Sequence, residues 1–175
     1  MVLSVFVGTS LDGFIARPSG AFDFLKSGGE GPHGYEEFIA SIDTIVIGRG
    51  TFDVVVGMGP WFYGDKRVVV LSTRPIDLSL VKDGKVEQMA GPPEQIVSQL
   101  AASGSKNIYV DGGITIQNFL RAGFINRMII TRVPVLIGEG IPLFGPVPHD
   151  IRLRHVRTQE FPGGAVQSEY EVIQK

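Results

Sequence analysis

No cysteine occurs in the 175-residue sequence, which excludes disulfides, thiol nucleophiles and thiolate metal sites. Charge is sparse as well. Charged residues make up 19% of the chain and the formal net charge is −2, so no global field exists to hold nucleic acid or an anionic membrane. The basic residues are scattered apart from Arg152, Arg154 and Arg157, whose spacing fits the solvated face of a strand. No apolar run approaches the ~18 residues needed to span a bilayer. The apolar start, Met1 to Gly8, lacks the positive segment of a signal peptide. These absences lead to the expectation of a cytoplasmic protein, with neither nucleic acid nor membrane as a partner.

Familiar catalytic signatures are missing too. There is no G-x-G-x-x-G after the first strand-like run, no P-loop, no zincin helix and no nucleophile elbow. His33, His149 and His155 lie far apart without metal-ligand spacing, so no metal site is expected. What the chain does have is a 43% hydrophobic content, enough for one domain over residues 1–175 with a buried core.

The order of apolar patterns sets the fold class. Val2–Gly8, Thr44–Ile47, Arg67–Leu71 and Asn107–Val110 read as buried strands, and Lys85–Met89 as a weaker one. Tyr35, Phe38, Ile39 and Ile42 share one helical face, as do Ile96, Val97 and Leu100 after Pro92-Pro93, and Ile116, Phe119 and Leu120 before Gly123. The segment Arg17–Gly34 is glycine- and proline-rich and reads as a binding loop or lid. After about residue 125 only strands remain: Arg127–Val133, Ile151–Thr158 and Ser168–Ile173. The expectation is a three-layer α/β domain whose mostly parallel sheet carries antiparallel C-terminal edge strands.

Three segments carry candidate chemistry. In Ile45-Val-Ile-Gly-Arg-Gly-Thr-Phe52 a buried strand ends in glycines at a helix start, where free N–H groups, Arg49 and the Thr51 hydroxyl suit a pyrophosphate. The plainer alternative is a tight turn with Thr51 as helix cap and Arg49 on the surface. In Ile108-Tyr-Val-Asp-Gly-Gly-Ile-Thr-Ile116 the pair Gly112-Gly113 again joins strand to helix, for ligand approach or for close helix–strand packing. Ser72-Thr73-Arg74 combines hydroxyls with a guanidinium, suited to an adenosine 2′-phosphate or to an ordinary turn. Open α/β sheets bind ligands along the edge formed by their strands' C-terminal ends, which favours reading the turns together.

Taken together these segments resemble the cofactor-binding segments of the dihydrofolate reductase superfamily. Ser10-Leu-Asp-Gly-Phe-Ile-Ala16 and Thr131-Arg-Val-Pro-Val-Leu-Ile-Gly-Glu-Gly-Ile-Pro-Leu-Phe144 look more closely like stand-alone relatives of the riboflavin-biosynthesis reductase domain. The resemblance covers nearly the whole chain. It implies a dihydrofolate-reductase-like fold and an NADPH site. Gly48, Arg49 and Thr51 would lie near the phosphates, Ser72, Thr73 and Arg74 near the 2′-phosphate, and Gly112 and Gly113 beside the pyrophosphate. It also implies that Thr9, Ser10 and Asp12 lie near nicotinamide and substrate, and that the protein is a homodimer. Two positions depart from riboflavin-pathway reductases. Phe6 stands where they usually have lysine, and Asp111-Gly-Gly113 where they usually have Glu-Gly-Gly.

Hydride chemistry belongs to the cofactor, so the protein must orient the substrate and manage a proton. Asp12 is the first candidate for that role and Glu36 the second, although Asp12 is also a turn former. Asp111 can bind a substrate hydroxyl or cap the following helix, and Trp61 can stack on a heterocycle or cover the core. The expected activity is NADPH-dependent reduction of a small heterocycle, with 5-amino-6-(5-phosphoribosylamino)uracil as one candidate. The alternatives are a dihydrofolate or pteridine reductase and an NADPH-binding protein without turnover.

Overall fold

The computed structural model describes residues 1–31 and 33–173; Pro32, counted above in the loop segment, lies outside them. Eight strands form the main sheet. These are β1 (Val2–Thr9), β3 (Thr44–Gly48), β4 (Arg67–Leu71), β5 (Lys85–Met89), β6 (Asn107–Asp111), β7 (Arg127–Arg132), β9 (Leu153–Glu160) and β10 (Val166–Val172), with β2 (Phe14–Ala16) and β8 (Ile141–Pro142) pairing as a separate ribbon. The sheet order is β5-β4-β3-β6-β1-β7-β10-β9. The first six strands in that order pair in parallel, whereas β10 runs antiparallel to both β7 and β9.

The layers follow from the two-residue period of a strand, which sends successive side chains to opposite faces. Leu3, Val5, Val46, Val69, Ile108 and Val110 point to one face and pack with α3 (Pro93–Ala102) and α4 (Gly113–Arg121) through Ile96, Leu100, Ile116 and Phe119. Ile45, Ile47, Val68, Val70 and Tyr109 point to the other and pack with α1 (Tyr35–Ala40) and α2 (Arg49–Gly57) through Phe38, Phe52 and Val55. Burial on both faces is why these strands are uninterrupted apolar runs, and the parallel pairing with covering helices is its usual partner. The expected three-layer arrangement with antiparallel C-terminal strands is therefore what the chain adopts.

The differences lie at the periphery. The loop segment contains a 3-10 helix, Asp23–Gly28, and α2 extends for nine residues where only a short turn is legible in the sequence. The last two strands are shifted from the expected Ile151–Thr158 and Ser168–Ile173. Their register is set by a turn after Phe161, where the Gly164 N–H donates to the Phe161 carbonyl (3.0 Å) and Gly163 adopts φ +99°. Every residue of β9 is exposed, so the basic cluster is a solvated strand face. Arg154 pairs with Glu171, and Arg157 with Glu169.

Candidate active site

Parallel pairing places the three candidate segments side by side. Gly48 at the end of β3 is level with Leu71 at the end of β4, and Ile47 is level with Asp111 at the end of β6. Ser72–Arg74, Gly48–Thr51 and Asp111–Gly113 thus leave three adjacent strands at one edge of the sheet. The helices α2 and α4 begin at Arg49 and Gly113, each preceded by a glycine and neither with a side-chain cap. Thr51 is not the N-cap; Gly48 occupies that position, because the chain turns into the helix directly at the strand end. The first-turn N–H groups of both helices are left without a capping side chain, the condition under which a helix start receives an anion.

The two turns also interlock. Gly112 has φ +93° and ψ 132°, a conformation that side chains other than glycine rarely adopt. A Cβ there would run into Thr51 Oγ1, and a Cβ at Gly48 would stand 2.7 Å from Thr115 Oγ1. Glycine at these positions lets the starts of α2 and α4 meet. In front of them opens a cleft of about 590 Å³, with Gly50, Thr51, Gly112 and Gly113 in one wall. That volume falls in the usual range for small-molecule sites. The wall fits a pyrophosphate, since it combines backbone donors, a hydroxyl and space where Cβ atoms would stand.

The Asp111 end of the cleft is aromatic, lined by Phe6, Tyr35, Tyr63 and Tyr109, with the exposed Phe62 at its rim. Strand alternation explains part of this grouping, since Tyr109 and Asp111 are two residues apart on one face of β6. Asp111 Oδ1 accepts from the Gly112 N–H (2.8 Å), and Oδ2 accepts from the Tyr63 hydroxyl (3.4 Å). The Tyr109 hydroxyl donates to the Phe6 carbonyl (2.9 Å). Burial holds the Asp111 carboxyl above its ordinary range, although its hydrogen bonds pull the other way. Burial and the adjacent Asp111 raise the Tyr35, Tyr63 and Tyr109 phenols, which stay protonated donors.

Other expected residues lie elsewhere. The exposed Asp12 carboxylate accepts from the Ile137 N–H (3.2 Å) and the Gly138 N–H (2.8 Å), tying two loops together. The Ser10 hydroxyl and these N–H groups hold it below its usual range, so it is a poor proton donor. Ser10 Oγ accepts from the Phe14 N–H (3.0 Å), and both Thr9 and Ser10 are buried outside the cleft lining. Glu36 is exposed on α1 and also outside it. Trp61 packs against Phe52 and Tyr63 in the core, and its neighbours Phe62 and Tyr63 line the cleft instead. Arg49 donates to the Pro75 carbonyl (2.9 Å) and pairs with Asp53. Ser72 Oγ accepts from the Arg74 N–H (3.2 Å), and the exposed Arg74 guanidinium has no ion pair among the described residues.

Sheet order, flanking helices and a cleft at the strand ends define a dihydrofolate-reductase-like protein. The profile of the RibD C-terminal domain matches residues 2–167, and the chain belongs to that family. It is 34% identical to the uncharacterized protein YwjB of Bacillus subtilis over 169 residues, 95% of each chain. A crystal structure from Shewanella sp. PV-4, of a protein provisionally named for riboflavin biosynthesis, superposes with a TM-score of 0.92 at 34% identity, covering 99% of this chain and 100% of that one. Enterococcus faecalis dihydrofolate reductase, solved with NADP(H), shares the fold at a TM-score of 0.67 and 17% identity, over 98% and 96% of the two chains.

Proposed function

We propose that this protein is an NADPH-dependent reductase of a small planar nitrogen heterocycle. The observation that carries the reading is the meeting of the uncapped α2 and α4 starts at Thr51 and Gly112, in a cleft that continues directly to Asp111. Backbone N–H groups of both helix starts and the Thr51 hydroxyl hold the pyrophosphate. We assign the adenosine 2′-phosphate to Arg74, three residues beyond the end of β4 and without an ion pair among the described residues, and Arg49 would add positive charge nearby. When bound, NADPH supplies the hydride. Asp111 takes the role first considered for Asp12 and Glu36. Its carboxyl, kept protonated to higher pH by burial, donates a proton or hydrogen bond to a ring nitrogen, with the Tyr63 hydroxyl fixing its orientation.

Among the described residues no helix is long and apolar enough to cross a membrane. A homodimer is proposed through β9, an edge strand exposed along its whole length with Leu153 and Val156 outward; sedimentation velocity checks it. The function itself is tested by titrating the protein with NADPH and NADH and then following NADPH oxidation across pyrimidines and pteridines. NADPH should bind more tightly, and at least one heterocycle should be turned over. Failure of both nucleotides to bind ends the proposal, and binding without turnover of any heterocycle favours a dinucleotide-binding protein.

A further inference from the structure

We infer that the substrate of this site is an unphosphorylated heterocycle, held by an apolar rim and the Asp111 end of the cleft. This rests on the reductase reading above and narrows it to a substrate class.

Two sets of observations lead there. Phe22, Met58 and Phe62 are large apolar residues left 40%, 57% and 58% exposed, and all three converge on the one cleft. Exposed apolar side chains gathered at a concave site mark a surface that a ligand covers. From the exposed rim inward, Phe62, Tyr35 and Phe6 follow one another with ring centroids 6.0 and 5.6 Å apart, so a flat ligand meets aromatic surface before it reaches Asp111.

The second set is charge. Among the described residues neither lysine nor arginine lines the inner cleft, and Asp111 is its one ionisable carboxyl. The substrate side opens into an outer cavity that shares Phe6, Phe22 and Met58 with it. There Lys26 shares the wall with Glu30, and Asp23 is already held by Arg17 at 2.7 Å. His33 also lines this space, with its ring against Phe161. A phosphate monoester carries about −1.5 to −2 charge near neutral pH and needs several cationic or N–H donors when it leaves water. One lysine beside a glutamate, with a single histidine whose Nε2 is buried, does not supply them. The anion-binding helix starts in the inner cleft are those assigned to the cofactor.

The experiment is calorimetric titration of the protein saturated with NADP+, which cannot supply a hydride, so that no turnover occurs and phosphate esters cannot occupy the cofactor's own site. The probes are two matched pairs, a 6-ribosylaminouracil and its 5′-phosphate, and dihydroneopterin and its monophosphate. In whichever pair binds, the phosphate form should be weaker by about tenfold or more. Glu30→Lys, outside the catalytic machinery, should close most of that gap by placing a second cation beside Lys26. A phosphate ester that binds wild type as tightly as its parent overturns the inference, as does failure of both pairs while the cofactor binds. If the cofactor itself does not bind, the reductase reading fails separately, and titration without it still measures the discrimination against phosphate.

Discussion

Gly112→Ala puts the interlocked turns to a quantitative test. The residue sits at φ +93° and ψ 132°, and holding a side-chain-bearing residue in so sparsely populated a region costs roughly 1–3 kcal/mol. The added methyl also meets Thr51 Oγ1, so α2 or α4 must shift, an overpacking cost of about 1–3 kcal/mol. The combined loss, about 2–6 kcal/mol, is a large part of the roughly 5–15 kcal/mol that holds a typical domain folded. Urea denaturation reads the stability, and NADPH titration reads the cradle, whose affinity should fall by about tenfold or more as its backbone donors move. Thr51→Ala in the same background removes the overlap but not the backbone strain. The double variant should regain the overpacking share of stability without regaining cofactor affinity, a coupling expected of residues in contact. The reasoning fails if Gly112→Ala stays within about 0.5 kcal/mol of wild type, the range of an ordinary surface change, or if removing the Thr51 hydroxyl restores nothing.

Four further outcomes are expected. Asp111→Asn should lower kcat/KM by about 10²–10⁴ if this acid manages the proton. Because the folded-state pKa of Asp111 is raised, the native protein binds more protons than the unfolded chain as pH climbs above the ordinary aspartate value of 3.8. Wild-type stability should therefore decline with pH in that window, and the asparagine variant should lack this decline in denaturation series. Arg74→Ala should cut the preference for NADPH over NADH by about tenfold, the loss of a charge-assisted phosphate contact; an unchanged ratio of the two dissociation constants removes Arg74 from the site. Asp12→Ala should lower the melting temperature by freeing the 137–138 loop while leaving kcat/KM within a few-fold, whereas a hundredfold loss would return Asp12 to the chemistry. Glu169, buried in the middle of β10, is desolvated, yet Arg127 (2.6 Å) and Arg157 (2.8 Å) outweigh that and hold its pKa down. Its contribution is present above the unfolded carboxyl range and lost as pH falls through the folded value. Glu169→Gln should cost about 1–2 kcal/mol at neutral pH, discounted for the exposed Arg157 and the half-buried Arg127, and little in acid.

What the sequence makes legible follows from where each signal is encoded. Strands β1, β3, β4 and β6 are covered on both faces, so burial writes itself into them as continuous apolar runs. Strands β2 and β8 are three and two residues long and exist through a pairing of Phe14 with Pro142, which leaves no local pattern to read. The same contrast runs through the site. Gly48 and Gly112 are legible because the requirement for glycine is local to each turn. Asp12 looks chemical within Ser-Leu-Asp-Gly, but its partners are the N–H groups of residues 137 and 138, a sequence separation of 125 or more. Trp61 stands out by composition, yet the fold turns it into the core and gives the cleft to Phe62 and Tyr63, a choice made by loop packing rather than by residue type.

Asp111 combines both kinds of signal. Strand alternation is local, so Asp111 and Tyr109 share a face from the sequence onward. The burial that raises its carboxyl is non-local, since it depends on Tyr63 from the loop after α2 and Tyr35 from α1 closing around it. The next residue, Gly112, is where β6 turns into α4 and meets Thr51. The proposed proton donor and the proposed phosphate cradle are therefore consecutive residues on a single rigid strand end. Their separation is fixed by covalent geometry, and Asp111 Oδ1 is further pinned by the Gly112 N–H at 2.8 Å. A change that moves the cradle must also move the acid. Gly112→Ala should accordingly reduce kcat as well as cofactor affinity, while Arg74→Ala, two strands away across β3, should reduce affinity alone. Measuring both parameters in both variants separates a site built on one strand end from two functions that merely share an edge.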